Sequence, residues 1–192
     1  MEQRWKRRWI VAGLIHSLGI SGLFTACAEP EPPEFTLHGL AQTCSTPEAL
    51  ARFLRRQISF KEDPDLFGQP DYWQGPEEFL ARRAGDCEDY ALLAQAVLTL
   101  QGKEAFLLSL YGPQGYAHTV CVFIEEGRYH AINEDRVIRY RASSLKELAT
   151  FLYPAWRWAA VSQQAGHRGR SVHQIQNPSP APLYAVKPGA AL

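Results

Sequence analysis

An α+β domain is predicted, with helices first, one of them buried at the centre, and an antiparallel sheet after. Three observations carry this. Leu50, Phe53, Leu54 and Ile58 form one apolar stripe at helical spacing. From about Cys87 to Gln101 apolar residues surround a helix almost completely, the pattern of an element buried on all sides. After Gly102 the chain turns to short apolar runs that alternate, bounded by turn residues. Helices followed by strands, rather than the two interleaved, give an α+β architecture.

The N-terminus precedes that domain. Arg4, Lys6, Arg7 and Arg8 stand before Trp9–Phe24, an apolar run of 16 residues. A membrane span needs about 20, so residues 1–28 read as a secretory signal. Phe24-Thr25-Ala26-Cys27 resembles a lipoprotein signal, with Cys27 as the lipidated residue. Cleavage after Ala28 and an uncleaved anchor are the alternatives. Each puts the globular part outside the cytosol, and the lipoprotein reading attaches it to the membrane in the periplasm or cell envelope. Residues 29–44, with three prolines between Glu29 and Glu34, read as a linker.

Ser45-Thr46-Pro47-Glu48 starts the first domain helix, with a hydroxyl cap, proline in the first turn and then an acid. Residues 61–75 read as a loop. Gly75-Pro76-Glu77-Glu78 opens a short helix, and Gly85-Asp86-Cys87 launches the central one, which Gly102 ends. Strands follow at 105–111, 118–125, 128–133 and 136–140. Ser143 or Ser144 caps a helix to Tyr153, and 156–161 returns as a strand. The domain thus covers 45–161. Residues 162–192 hold four prolines and no acid, and read as a disordered tail.

Twenty basic and twenty acidic residues cancel, which argues against nucleic acid as a partner. Of the four cysteines (Cys27, Cys44, Cys87 and Cys121), none forms a C-x-x-C pair, so zinc is not expected. With Cys27 lipidated and Cys87 reactive, Cys44 and Cys121 would be left for a disulfide, a pairing the sequence does not decide.

Cys87 opens a helix, where free amides and the macrodipole favour an anion and lower a thiol's pKa. The bland reading is a small core residue. A thiolate nucleophile also needs an imidazole, and His118 at the start of a strand is the candidate. A two-residue turn at Glu126-Gly127 sets Glu125 opposite Arg128. Counting back, Val120 faces Asn133 and Asp135 faces His118, so both polar residues share the imidazole's face, and Cys121 points away. Asn133, with Asp135 in reserve, would orient the ring.

These residues carry a resemblance. Trp73-Gln74-Gly75-Pro76-Glu77-Glu78-Phe79, then Gly85-Asp86-Cys87-Glu88-Asp89-Tyr90-Ala91, then His118 and Gly127–Asn133, resemble the bacterial transglutaminase-like cysteine protease family. The resemblance implies a papain-like α+β core with Cys87 as nucleophile, His118 as general base and acid, and the third position at Asn133, where the family usually has Asp. It implies a thioester intermediate, and a protein or peptide substrate in the envelope. No cofactor is required. Calcium beside Asp86 and Glu88 is suggested by calcium-binding members of the family; the bland reading of these acids is helix capping. An amidase or transglutaminase acting on cell-wall peptides, and a catalytically inactive envelope binding module, are the alternative functions.

Overall fold

The computed structural model describes residues 35–163 and 170–180. The expected signal, Cys27, the proline-rich tether and the end of the tail lie outside these residues.

Three short helices come first. Leu37–Thr43 (α1) is capped by the Thr36 hydroxyl, which accepts the Gly39 amide at 3.1 Å. Pro47–Gln57 (α2) is capped the same way, by Thr46 from the Ala49 amide at 3.1 Å. After the two-residue strand Ser59–Phe60 (β1), Asp63–Phe67 forms a single short helix (α3). Pro76–Arg82 (α4) and the two-residue strand Ala84–Gly85 (β2) lead into the central helix, Cys87–Leu100 (α5). β1 and β2 pair in parallel, which ties the entry of α5 to the end of α2.

The remainder is mostly one sheet. Ala105–Tyr111 (β3), Ala117–Glu125 (β4), Arg128–Asn133 (β5), Arg136–Ala142 (β6), Trp158–Gln163 (β7) and Arg170–Gln176 (β8) are ordered β6-β5-β4-β3-β7-β8, all antiparallel. Leu145–Leu152 (α6), capped by Ser144, links β6 to β7.

Alternation along the strands divides the core in two. Leu107, Cys121, Phe123 and Ile132 face α5, together with buried residues of α1, α2 and α4. Phe106, Leu108, Val120 and Val122 face the other way, onto α6 and the fully buried Trp156. Leu93, Ala94, Val97 and Leu98 of α5 are all 0% exposed, and Glu88, Asp89, Leu92 and Gln95 are buried around the rest of its circumference, so the central helix is enclosed until its last turn, where Leu100 is exposed. Each buried leucine contributes about 1.5–3 kcal/mol of burial.

The structure corrects three segments and decides one pairing that the sequence left open. The expected linker at 29–44 contains α1, whose Leu40 is buried in the core. Within the predicted loop at 61–75, α3 forms. The tail expected to be disordered from 162 instead holds β8, paired with β7 and pinned by Asn177, whose amide groups reach the Arg157 and Trp156 carbonyls. All four tail prolines lie beyond Asn177, so composition averaged over the whole segment hides the strand. Cys44 and Cys121 are buried free thiols, each sealed in apolar core, and no bridge joins them. Among the described residues no helix is long and apolar enough to cross a membrane.

Candidate active site

The first residue of α5, Cys87, is half-buried. The main-chain amide of Thr119 donates towards its sulfur, so the thiol meets β4 one residue beyond His118. β4 outruns β5 here: the pairing of β4 with β5 begins at Cys121–Ile132, whereas β3 follows β4 back to Ala117. The site therefore occupies a notch where β4 is paired on one side.

Across that notch His118 Nε2 and Asn133 Oδ1 lie 2.7 Å apart. The register that brings them together is the one the Glu126-Gly127 turn implies, with Cys121 opposite Ile132 and Val122 opposite Ala131. Because Nε2 is engaged by Asn133, any proton exchanged with a thiol would have to use Nδ1; the Cys87 sulfur itself is hydrogen-bonded to Glu88 and not to this ring. Tyr116 flanks the ring, its centroid 6.4 Å away, and is itself stacked on Tyr153. Asp135 is not the imidazole's partner. It lies in the turn after β5 and pairs with Arg55 at 2.9 Å and Arg136 at 3.7 Å. Glu134, at φ 50, breaks the strand before it, so the pairing that would set Asp135 opposite His118 never forms.

The thiol departs from expectation. Its proton points to Glu88 Oε2 at 3.2 Å. Burial first, and then the charge of Glu88, push its pKa above the ordinary cysteine value, opposing the helix terminus that was expected to lower it.

Around it lies a buried carboxyl cluster. Asp63, Asp86, Glu88 and Asp89 are 1%, 8%, 6% and 0% exposed. Burial lifts Glu88 to about 9, aided by its hydrogen bond to Asp86. Burial also raises Asp63 and Asp86, and lifts Asp89 to about 6. Gln74 restrains Asp89, its main-chain amide on Oδ1 at 2.8 Å and its side chain on Oδ2 at 2.5 Å. Asp89 Oδ2 in turn accepts the Asp86 amide at 3.3 Å, capping α5. Asp63 Oδ2 accepts the Tyr72 amide. In contrast, Asp63 Oδ1 and Asp86 Oδ1 are buried without a hydrogen-bond partner.

Oxygens of Asp63, Asp86 and Asp89 lie within 4.8 Å of one another, as do those of Asp63, Asp71 and Glu88. Carboxylates gathered this closely, with orphaned oxygens, fit a hard divalent cation such as calcium. Capping accounts for Asp89; the orphaned Asp86 oxygen is what the capping reading leaves over. Asp63 and Gln74 were not among the residues singled out from sequence. Asp63 stands in a segment without periodicity, and Gln74 is one residue of a longer motif, so only the contact with α5 distinguishes them.

The profile of the transglutaminase-like domain matches residues 42–143, just over half of the chain. The chain belongs to that family. The transglutaminase-like assignment spans α2 to the end of β6, and so includes Cys87, His118, Asn133 and the acidic cluster. No curated protein matches. Among solved structures, Legionella pneumophila LapG is 24% identical with a TM-score of 0.38, over 47% of this chain and 54% of that one. LapG in its calcium-bound form is 23% identical with a TM-score of 0.41, over 65% and 70%. The chain thus spans about half the length of the first of these.

Proposed function

We propose that this transglutaminase-like domain is an exported cysteine peptidase. The single observation that carries the reading is the imidazole of His118 held by Asn133 at the end of β4 where the Cys87 sulfur meets the Thr119 amide. Cys87 gives its proton to His118 Nδ1, and the sulfur attacks the scissile carbonyl. Main-chain amides at the start of α5 stabilise the oxyanion. The protonated ring then passes its proton to the leaving amine, which leaves a thioester. Water, deprotonated by the same nitrogen, adds to the thioester; the carboxylic acid departs and the thiol is restored. Asn133 keeps the ring turned and its tautomer fixed throughout.

Asp86 and Glu88, with Asp63 and Asp89 behind them, would hold a calcium ion. Bound there, the ion would supply positive charge that offsets the carboxyl groups which, after burial, raise the thiol's pKa. The protein is proposed to be exported and attached to the membrane through Cys27, with protein or peptide substrates in the envelope. Palmitate labelling that disappears in Cys27→Ala is expected; labelling retained in that variant would exclude the anchor.

The activity is tested on a degenerate peptide library read by mass spectrometry. Cys87→Ala abolishes cleavage, His118→Ala lowers it by roughly 10²–10⁴-fold, and Asn133→Asp retains more activity than Asn133→Ala. Cleavage undiminished in Cys87→Ala would overturn the assignment. Asn133 in place of the family's usual Asp is the observation favouring the second reading, an inactive binding module, which predicts a folded protein that cleaves nothing.

A further inference from the structure

The imidazole's partner sits at a strand end held on one side. β4 last pairs with β5 at Cys121–Ile132, so Asn133 is joined to the sheet on the β6 side alone, through Arg136. The turn between them is Glu134-Asp135, and Glu134 takes φ 50, a left-handed backbone that is costly for a residue with a Cβ. A strained turn at a half-paired end is prone to fray, and fraying would carry Asn133 away from the ring. A residue 80 positions earlier opposes this. In the last turn of α2, Arg55 donates from Nε to Asp135 Oδ2 and from a terminal nitrogen to the Asp135 main-chain oxygen, both at 2.9 Å. One planar guanidinium thus grips the side chain and the backbone of the same turn residue. At the other end of α2, Glu48 accepts from Arg139 Nε at 2.8 Å. The helix is therefore tied to β6 and its turn twice, once beside Asn133 and once at Arg139, about 10 Å further along the strand than Arg136.

We propose that Arg55 is a positioning residue of the thiol site: by clamping the Glu134-Asp135 turn it holds Asn133 where its Oδ1 meets His118 Nε2. The bearing of the clamp on catalysis rests on the cysteine peptidase reading. The geometry supports it, because Asn133 is two residues from Asp135 and its contact with the ring, at 2.7 Å, is lost on a displacement of about an ångström. The chemistry supports it too. Oδ1 of an asparagine can only accept, so the ring donates from Nε2 and keeps Nδ1 free to take a proton. A ring released from Asn133 turns about its bond to Cβ and populates both tautomers. Arg55 is 57% exposed, and an ion pair so open to water adds little to stability. The effect of the fork is to fix geometry. A lysine in its place keeps the charge but has no planar fork to reach both oxygens.

The full-length protein is isotopically labelled on nitrogen, and the ring nitrogens of His118, identified by their loss in His118→Gln, are read by NMR. In parallel, kcat and KM are measured on a peptide recovered from the library. The unaltered protein should show one tautomer, protonated at Nε2. Arg55→Ala is expected to mix the tautomers and to lower kcat about tenfold with KM unchanged, and Arg55→Lys to restore both in part. Glu48→Gln removes the tie at the far end of α2 and should leave the tautomer and kcat as they were. A ring signature and kcat unmoved by Arg55→Ala would overturn the clamp. Equal changes in Glu48→Gln would overturn it as well, since any loosening of α2 would then suffice. If the unaltered protein cleaves nothing, the peptidase reading falls, and the tautomer, which needs no substrate, decides by itself whether Arg55 positions Asn133.

Discussion

A thiol at a helix N-terminus is ordinarily easier to ionise, and Cys87 is harder. The difference lies first in burial and then in its immediate neighbour: Glu88 accepts the thiol proton and is itself buried next to Asp86. The macrodipole contributes about half a charge, spread over the first turn, too little to offset the loss of water around the sulfur together with a carboxyl group in direct contact that is charged by the pH at which the thiol ionises. Glu88→Gln removes that charge and leaves a neutral acceptor of the same shape. The midpoint of iodoacetamide alkylation against pH should therefore move down in this variant; an unmoved or higher midpoint would exclude Glu88 as the cause. The same residue-level logic explains why Asn133 was foreseeable and Asp135 separable from it only by contacts. Both lie on the predicted face, but Glu134 at positive φ turns the chain away before Asp135, which pairs with Arg55.

At the scale of elements, the entry to α5 depends on a close approach that only glycine permits. A Cβ at Gly85 would overlap Asp89 Oδ2 and stand 2.5 Å from Gln74 Nε2. The Gln74–Asp89 bracket that positions the start of the helix would have to open. Gly85→Ala is thus expected to lower stability by about 1–3 kcal/mol, read as a fall in the denaturation midpoint, and to change the rate of Cys87 labelling by iodoacetamide. Unchanged stability would show that the bracket relaxes freely. α1 and β8 make the converse point. Neither has strong periodicity of its own, and each exists because a neighbour completes it: α1 by placing Leu40 in the core beside α5, β8 by hydrogen bonding along β7.

For the whole molecule, the buried acids set how stability responds to pH. Glu88 holds its proton to about pH 9 and Asp89 to about 6 in the folded state, whereas exposed carboxyls lose theirs near pH 4. Between those values the folded protein binds more protons than the unfolded chain, so stability falls as pH rises. Thermal unfolding in the presence of a chelator should come at a higher temperature at pH 5.5 than at pH 8.5. Added calcium should stabilise the protein at pH 8.5 and much less at pH 5.5, where the same carboxyls are protonated. A midpoint that rises with pH under chelation, or indifference to calcium at pH 8.5, would contradict a cluster held in wait for a cation.

The amino-acid sequence alone determined the α+β class, the central helix, the β4–β5 register, and through it the meeting of His118 with Asn133. These follow from local rules: apolar periodicity, capping residues and a two-residue turn that sets register over a short hairpin. Only the tertiary structure decided the company the thiol keeps, the gathering of Asp63 with Asp86, Glu88 and Asp89, and the free state of Cys44 and Cys121. Those depend on which distant segments meet and how much water is excluded where they do, and the strength of a charge or the acidity of a thiol varies with that exclusion rather than with position along the chain.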